Sequence, residues 1–278
     1  QHSSSKRVAR SVGIAHVMFT TAQLLETGAI GLVAGVLGGL AGVGGSMIML
    51  PGLHLVYGDD PAAIHHLYMA AAMTVNVAVA APAARRHALA GTARKDLLPT
   101  LLTSTAIAIV AGVLIGNRVP GQVLKYMLAG FLVIYCIFNF VRILNNAPEH
   151  AREHERTTRR NLIISGASTG MLGGLLGLGG GVLLVPMLQM LCRVPLKASI
   201  ATSSTVMCMT AVIGAGLKLA TLPDGQSWQR ALLLAALMAP TAMIGGYFGA
   251  HLTQKLPVRI VRVIVTILIA IVAVRMVM

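Results

Sequence analysis

The sequence of 278 residues has little charge, and most of that charge is basic. Only 11% of the residues are Asp, Glu, Lys or Arg, whereas soluble domains average about 25%. Aromatic residues make up 4% and apolar residues 56%, which excludes both a disordered chain and a soluble domain with a water-facing surface. The mean hydropathy of +0.79 and the long apolar runs indicate an all-α protein that crosses a membrane several times.

Carboxylates are the scarcest charged groups, and none lies in the middle of an apolar run. Of the eight, Glu26 lies at the edge of an apolar run and the others fall in predicted loops: Asp59, Asp60, Asp96, Glu149, Glu153, Glu155 and Asp224. Cation paths and carboxylate proton relays normally place a carboxylate at membrane depth. The sequence therefore argues against cation transport.

Basic residues number 22 and give a formal net charge of +14. They lie in short loops between apolar runs, which indicates membrane topology and contact with anionic lipid headgroups rather than nucleic-acid binding. Lys218, Arg85 and Arg86 lie at predicted span ends, and we expect them to extend toward the headgroups. The alternative is that they attract anions to the mouth of a transport path.

Motifs that carry enzyme chemistry are missing. The three cysteines form no C-x-x-C pair and have no histidine at metal-ligand spacing, so we predict no metal site. The sequence contains no H-E-x-x-H or G-x-S-x-G motif and no pair of mid-span carboxylates. We therefore predict a protein that is not an enzyme and has no cofactor, and the absence of an ATP-binding motif leaves an ion gradient as its energy source.

The chain divides into four parts. We predict a basic tail and an interfacial helix over residues 1–27, a first repeat over 28–144, a charged linker over 145–160 and a second repeat over 161–278. The interfacial helix covers 11–27. Eight apolar segments follow at about 28–57, 62–84, 97–116, 121–143, 161–191, 198–220, 231–252 and 258–277, or ten if each glycine-broken segment is counted as two.

The repeats rest on a glycine pattern. Residues 31–51 and 166–186 match without a gap under a shift of 135 residues, with ten identities in 21 positions, seven of them glycine. Internal duplication of this kind is typical of secondary transporters. Within each copy, a ladder of glycines at every fourth position, 31–39 and 166–174, predicts close helix packing.

A second cluster of glycines follows each ladder, at residues 42–45 and 177–181. Each glycine costs a helix about 1 kcal/mol relative to alanine, so we predict a broken helix at both places. Broken backbone at membrane depth must be buried in protein or line a wet cavity. The free N–H groups of the second half-helix, which also contains Pro51 or Pro186, would bind an anion without a charged side chain.

Each broken segment either crosses the membrane or returns to its starting side. Crossing segments make parallel repeats of four spans, whereas re-entrant hairpins make inverted repeats with three further spans each. The first arrangement puts 15 Lys and Arg residues inside and 7 outside, and the second puts 14 inside and 8 outside. The positive-inside rule does not choose between them.

Polar residues beside the two breaks complete a predicted anion site. The predicted substrate-binding residues are Gly44, Gly45, Ser46, Asn76, Gly179, Gly180, Gly181, Thr202 and Ser203. Asn76 either joins neighbouring helices or contacts the ligand, and the hydroxyls of Thr202 and Ser203 either donate to an oxyanion or bond to their own helix. His65 and His66, near a span entrance, indicate an interfacial position or a proton-sensitive gate.

The paired Gly-x-Gly-Gly-x-x-x-x-x-Pro elements, the duplication and the charged central loop resemble the sulfite exporter TauE/SafE family over about residues 25–277. In the second half, residues 197–203 (KASIATS) look like the A-x-x-T-S pattern of that family, with one additional residue between Ala198 and Thr202. The first half departs from it, because Ser46 replaces the third glycine of the run and residues 64–68 (IHHLY) stand where that pattern is expected. The resemblance implies a transporter of sulfite, sulfonates or related small anions in the bacterial cytoplasmic membrane.

We therefore expect a probable exporter of small sulfur-containing anions that works by alternating access and is driven by an ion gradient. Its predicted partners are the anionic substrate and membrane lipids, without nucleic acid. The alternatives are a passive anion channel, a carrier of another small organic anion, and an assembly factor in which the breaks serve only packing. The sequence leaves open which anion is carried and whether the chain forms a homo-oligomer.

Overall fold

The computed structural model describes residues 21–57, 64–144, 155–223 and 226–257, together with scattered positions between 260 and 271. All regular structure in these residues is helical, as predicted. The described helices are α1 (Thr21–Ala41), α2 (Ser46–Tyr57), α3 (Ile64–Leu89), α4 (Leu98–Gly116), α5 (Gly121–Leu144), α6 (Arg159–Leu175), α7 (Leu184–Met190), α8 (Leu196–Ala220) and α9 (Trp228–Lys255). Six of these helices are long and apolar enough to cross a membrane.

Within the described residues, the predicted apolar segments correspond to these helices. The broken segment 28–57 forms α1 and α2, and the broken segment 161–191 forms α6 and α7. Residues 21–27, the end of the predicted interfacial helix, are the first turns of α1, where buried Thr27 hydrogen-bonds to Tyr57. Residues 1–20 and most of both the linker and the last apolar segment lie outside the described residues.

The first broken segment turns back on itself. At the start of α2, Gly45 lies against Ala34 of α1. At the end of α2, the hydroxyl oxygens of Tyr57 and Thr27 are 2.7 Å apart. Successive positions of α2 therefore contact earlier and earlier positions of α1, so the two helices form an antiparallel, re-entrant hairpin.

The second broken segment does the same. Near the turn, a Cβ atom on Gly173 of α6 would collide with the backbone of Gly180. Beyond α7, the carbonyl of Leu191 accepts a hydrogen bond of 3.2 Å from the side-chain amide of Asn161, near the start of α6. α6 and α7 therefore also form a re-entrant hairpin.

Helices α3 and α8 run antiparallel to each other through the centre of the bundle and define its two ends. At one end, where α3 begins and α8 finishes, Nζ of Lys218 and Nδ1 of His66 are 2.8 Å apart. At the other end, where α8 begins, Oγ1 of Thr202 accepts a hydrogen bond of 3.1 Å from the backbone N–H of Arg94. We call these the histidine end and the arginine end.

The two hairpins open toward opposite ends. The last turn of α2 lies at the histidine end, because Nε2 of His54 and Nδ1 of His65 are 2.8 Å apart. The residues before α6 lie at the arginine end, because Glu155 forms an ion pair with Arg94. The structure therefore has two oppositely directed re-entrant hairpins, which is the alternative that charge counting left undecided. The duplication itself stays a prediction.

The glycine ladders pack each hairpin against a helix from the other half of the chain. α1 packs on α9, where a Cβ on Gly31 would lie 2.7 Å from the carbonyl oxygen of Met238. α6 packs on α4, where a Cβ on Gly174 would lie 2.5 Å from the carbonyl oxygen of Ile109. Backbones approach this closely only where side chains are absent, so the predicted packing role of both ladders is confirmed.

Gly35→Ala is expected to lower the free energy of unfolding by about 1–3 kcal/mol, because the new methyl group would collide with the α9 backbone at Ala242. Gly28→Ala on the same helix is the control, since the nearest atom to its Cβ is Cγ2 of Thr241 at 3.8 Å. Helix propensity should make this control neutral or stabilising by up to about 1 kcal/mol. Thermal unfolding in detergent measures both variants, and equal losses would contradict the packing role.

Candidate functional site

The two helix breaks depend on backbone conformations that L side chains rarely adopt. Five glycines at the breaks have positive φ angles, namely Gly42 (67°), Gly44 (80°), Gly177 (71°), Gly179 (70°) and Gly180 (82°). Glycine adopts this left-handed region without the steric cost that a Cβ atom brings. The glycine clusters are therefore what ends each first half-helix and starts the hairpin turn.

The breaks lie against each other, with a methionine between them. A Cβ on Gly181 would lie 3.1 Å from the Val43 carbonyl group and 2.6 Å from Sδ of Met207. A Cβ on Gly44 would lie 2.8 Å from the same sulfur. A methyl group at either position would meet this sulfur, so the two breaks pack closely around Met207.

Asn76 on α3 bonds to both breaks. Its Oδ1 accepts a hydrogen bond of 2.9 Å from the backbone N–H of Gly45, and its Nδ2 donates to Oγ of Ser46. The same Nδ2 donates to the carbonyl oxygen of Leu178 in the second break at 3.3 Å. The side chain is fully buried, so its amide satisfies backbone groups that helix termini leave unpaired.

Ser203 on α8 bonds to the same two breaks from the other side. Its Oγ lies 2.7 Å from the carbonyl oxygen of Gly42 and 3.1 Å from that of Gly181, and its one O–H is shared between these two acceptors. The hydroxyls of Ser204 and Thr205 instead bond to carbonyls one turn earlier in α8. Ser203 is therefore the hydroxyl of this run that joins the two breaks.

Thr202, also predicted to bind substrate, has a different position. Its hydroxyl accepts from the backbone of Arg94 at the arginine end and does not bond to either break. The other predicted site residues lie together at the breaks, where the glycines at 179 and 44 flank Asn76. Their role in binding a substrate stays a prediction.

Sequence reasoning missed a group of threonines around Gly180. A Cβ on Gly180 would lie 3.4 Å from Oγ1 of Thr210 and 3.6 Å from Cγ2 of Thr105, so this glycine has more room than the others at the breaks. Thr169 lies one turn before Gly173, which contacts Gly180. The buried hydroxyls of Thr105 and Thr169 have no hydrogen-bond partner among the described residues. Thr105 lies on α4 and Thr169 on α6, the two helices that pack together along the second glycine ladder.

Carboxylates are absent from the neighbourhood of the breaks in the part of the chain that the structure describes. The three described carboxylates are Glu26 at the exposed start of α1, and Asp96 and Glu155, which both pair with Arg94. The breaks are therefore surrounded by amides, hydroxyls and apolar side chains. Amides and hydroxyls are groups that can donate hydrogen bonds to an anion without repelling it.

At the histidine end, the structure corrects one expectation. Lys218 does not extend toward headgroups: its side chain is fully buried, with Nζ 2.8 Å from Nδ1 of His66 and 2.5 Å from Oδ1 of Asn117. The reason is that Lys218 faces α3 and the end of α4, where these acceptors lie. His65 and His66 are also buried inside the protein, at 2% and 4% exposure.

At the arginine end, Arg94 is held by carboxylates. Hydrogen bonds to Asp96 and to Glu155 raise the pKa of Arg94, so the guanidinium stays charged. Arg85 is exposed, as expected for a residue that contacts headgroups, whereas the guanidinium of Arg86 lies 2.7 Å from Nδ1 of His251. A surface cleft of about 500 Å³ lies here, lined by Ala88, Gly91, Ala93, Arg94, Lys95 and Asp96.

Comparison with known proteins identifies a matching protein family and several similar membrane proteins. The family model described as "Sulfite exporter TauE/SafE" matches residues 27–276. The probable membrane transporter protein MamO of Magnetospirillum gryphiswaldense is 28% identical over an alignment that covers 93% of this chain and 45% of MamO. The MamO of Paramagnetospirillum magneticum is 26% identical with the same coverage.

A shorter match links the chain to the probable membrane transporter protein YunE of Bacillus subtilis, at 32% identity over 35% of this chain and 34% of YunE. The chain spans less than half the length of the MamO proteins, at 45%. No solved structure matches it.

Proposed function

Because this chain belongs to the sulfite exporter TauE/SafE family, we propose that it is a membrane transporter of small sulfur-containing anions such as sulfite or organosulfonates. The names of its relatives, which are probable membrane transporter proteins, support transport. The helices long enough to cross a membrane support an integral membrane protein, and we assign it to the bacterial cytoplasmic membrane.

The observation that carries the proposal is the contact between the two helix breaks. Two re-entrant hairpins from opposite ends meet at glycines, and Asn76 and Ser203 each bond to both of them. Discontinuous helices that meet inside a bundle form the substrate sites of many secondary transporters. With no described carboxylate beside them, the amide and hydroxyl donors favour an anion as the substrate.

Binding in this proposal requires the breaks to separate. The N–H groups around Gly44–Ser46 and Gly179–Gly181 would then turn to the anion, helped by the hydroxyl of Ser203 and the amide of Asn76. Since Asn76 lies on α3 and Ser203 on α8, a relative movement of these helices breaks one set of bonds at a time. In this proposal, alternating access exchanges hydrogen bonds within the protein for hydrogen bonds to the anion.

The orientation follows from the charge distribution. Of the Lys and Arg side chains that the structure describes, ten lie toward the arginine end and four toward the histidine end. The positive-inside rule then assigns the arginine end to the cytoplasm. An exporter would load its anion there, near the cleft beside Arg94 and Lys95, and we propose that an ion gradient drives it.

Ser203→Ala is expected to slow sulfite efflux from proteoliposomes by about tenfold or more, because it removes the hydroxyl that bonds to both breaks. Ser204→Ala is a matched control, since that hydroxyl is equally buried but bonds only to its own helix at Ile200. The control is expected to keep the wild-type rate. The measurement is release of sulfite under an imposed ion gradient.

The outcomes separate the alternatives. No sulfite or sulfonate movement by the wild type, together with no rise in melting temperature on adding them, would reject this substrate class. Flux that is independent of both pH and counter-ions, at rates far above carrier turnover, would indicate a passive anion channel. Equal rates for the two serine variants would show that the bonds to the breaks are irrelevant to transport.

A further inference from the structure

Lys218 is a charged side chain with no solvent exposure, at the histidine end of α8. Its ammonium has three N–H donors, and among the described residues its hydrogen-bond partners are the neutral groups of His66 and Asn117. Buried charges in proteins are normally paired with an opposite charge. A buried ammonium with two neutral acceptors therefore has most of its charge uncompensated by the described part of the chain.

The two acceptors are fixed by contacts of their own. Nδ2 of Asn117 donates to Oγ1 of Thr221 at 2.6 Å, which orients Oδ1 toward Lys218. The His66 ring hydrogen-bonds to the backbone of Val119, which leaves Nδ1 to face Lys218. The ammonium is thus enclosed by groups from α3, α8 and the segment after α4, in a defined geometry.

Polar groups without negative charge continue beyond Lys218. Next to His66, the side chain of His65 is buried and its Nε2 has no hydrogen-bond partner among the described residues. Of the described carboxylates, those at 96 and 155 are bound to Arg94 at the opposite end of the bundle, and Glu26 is exposed at the start of α1. The histidine end therefore combines a buried positive charge with buried polar groups, which is the chemistry of an anion site.

We propose that Lys218, with His66 and Asn117, is a second anion site, separate from the helix breaks, for a small oxyanion such as sulfite. In this conformation the two neutral acceptors, His66 and Asn117, accept hydrogen bonds from the ammonium group of Lys218. When the histidine end opens, an oxyanion replaces one of them and supplies the missing negative charge. Hydrogen bonds between ionised partners are roughly twice as strong as neutral ones, which favours this exchange.

The placement of the site connects it to the breaks. Lys218 lies on the same helix as Ser203, about 22 Å along its axis, and His66 lies on the same helix as Asn76, about 15 Å away. The anion would therefore meet Lys218 between the breaks and the outer surface. This role on a path rests on the proposed transport function, whereas binding at Lys218 does not.

Asn117→Asp tests the site most sharply. The substitution is isosteric and puts a carboxylate against the ammonium group of Lys218. The carboxylate then takes the place of a bound anion. The variant is expected to melt at a higher temperature than the wild type and to lose most of the rise in melting temperature that sulfite causes. Purified full-length chain in detergent, titrated with sulfite and separately with chloride, gives both readouts.

Lys218→Met removes the charge while keeping the length of the side chain. We expect sulfite binding to weaken about tenfold or more, with a melting temperature equal to or above that of the wild type. Arg230→Gln is the matched control, because it removes an exposed cation at the same end of the bundle. The control is expected to bind sulfite as the wild type does.

A wild-type response to sulfite in Lys218→Met overturns the inference. A lower melting temperature of Asn117→Asp also overturns it, because Lys218 would then already have a carboxylate partner within the chain. If sulfite stabilises the protein in a Lys218-dependent way but no flux occurs in vesicles, the site at Lys218 is supported and the proposed transport function is rejected. If flux occurs without this stabilisation, the transport function is supported and the site at Lys218 is rejected.

Discussion

Gly179→Ala is expected to abolish most transport and to lower the free energy of unfolding by about 2–5 kcal/mol, because it combines two penalties. The residue has a φ angle of 70°, where an L side chain costs about 1–2 kcal/mol. Its Cβ would also lie 2.6 Å from Nδ2 of Asn76. The displaced amide would lose its bond to Leu178 and leave buried groups unpaired, at about 1–3 kcal/mol each.

Gly180→Ala separates these two penalties. Its φ angle is 82°, so the backbone cost is the same, about 1–2 kcal/mol. The nearest atom to its Cβ is Oγ1 of Thr210 at 3.4 Å, so no hydrogen bond is disturbed. Thermal unfolding in detergent and sulfite flux in vesicles are measured for both variants. If both lose the same stability and the same flux, the contact between Gly179 and Asn76 is not what holds the breaks together.

The breaks and the ladders were predictable because their cause is local. A glycine cluster destabilises a helix wherever it lies, and glycine at every fourth position presents a smooth face to any neighbour. The sequence therefore located the breaks at 42–45 and 177–181 and the packing faces before them. The positive φ angles at Gly44 and Gly179 agree with that reasoning.

The direction of the hairpins was not predictable, because it depends on contacts between residues far apart in the sequence. Whether α2 continues or returns is visible in the bond between Tyr57 and Thr27, 30 residues apart. The burial of Lys218 has the same origin. A lysine near a helix end normally extends to the headgroups, but here Asn117, 101 residues earlier, provides an acceptor inside the bundle.

The two halves of the chain also differ at the site in a way that a repeat does not predict. In the first break, the N–H of Gly45 bonds to the amide of Asn76. In the second, Gly180 lies near Thr210 and Thr105, and the hydroxyls of Thr105 and Thr169 have no hydrogen-bond partner among the described residues. The first break therefore bonds to Asn76 through a backbone N–H and the Ser46 hydroxyl, whereas the second bonds to it through the carbonyl oxygen of Leu178.

Asn76→Asp is expected to reduce sulfite flux at neutral pH by about 100-fold or more, because it changes both the bond and the charge at the breaks. The new carboxylate still accepts from the N–H of Gly45, and the hydroxyl of Ser46 can turn to donate to it. Its second oxygen, however, faces the carbonyl oxygen of Leu178 where Nδ2 now donates at 3.3 Å. The second break is then repelled, and a negative charge lies where the anion must pass.

The pH dependence of this variant distinguishes the two effects from simple unfolding. Acidification protonates the new carboxyl group, whose O–H can donate to Leu178 as the amide does, so part of the flux is expected to return as the pH falls. Asn139→Asp is the control for the substitution itself and for the charge state of sulfite, because its amide donates to the carbonyl of Tyr135 on its own helix, away from the breaks. Flux of Asn76→Asp that stays at the wild-type level at neutral pH would show that neither the anion nor the closure of the breaks depends on Asn76.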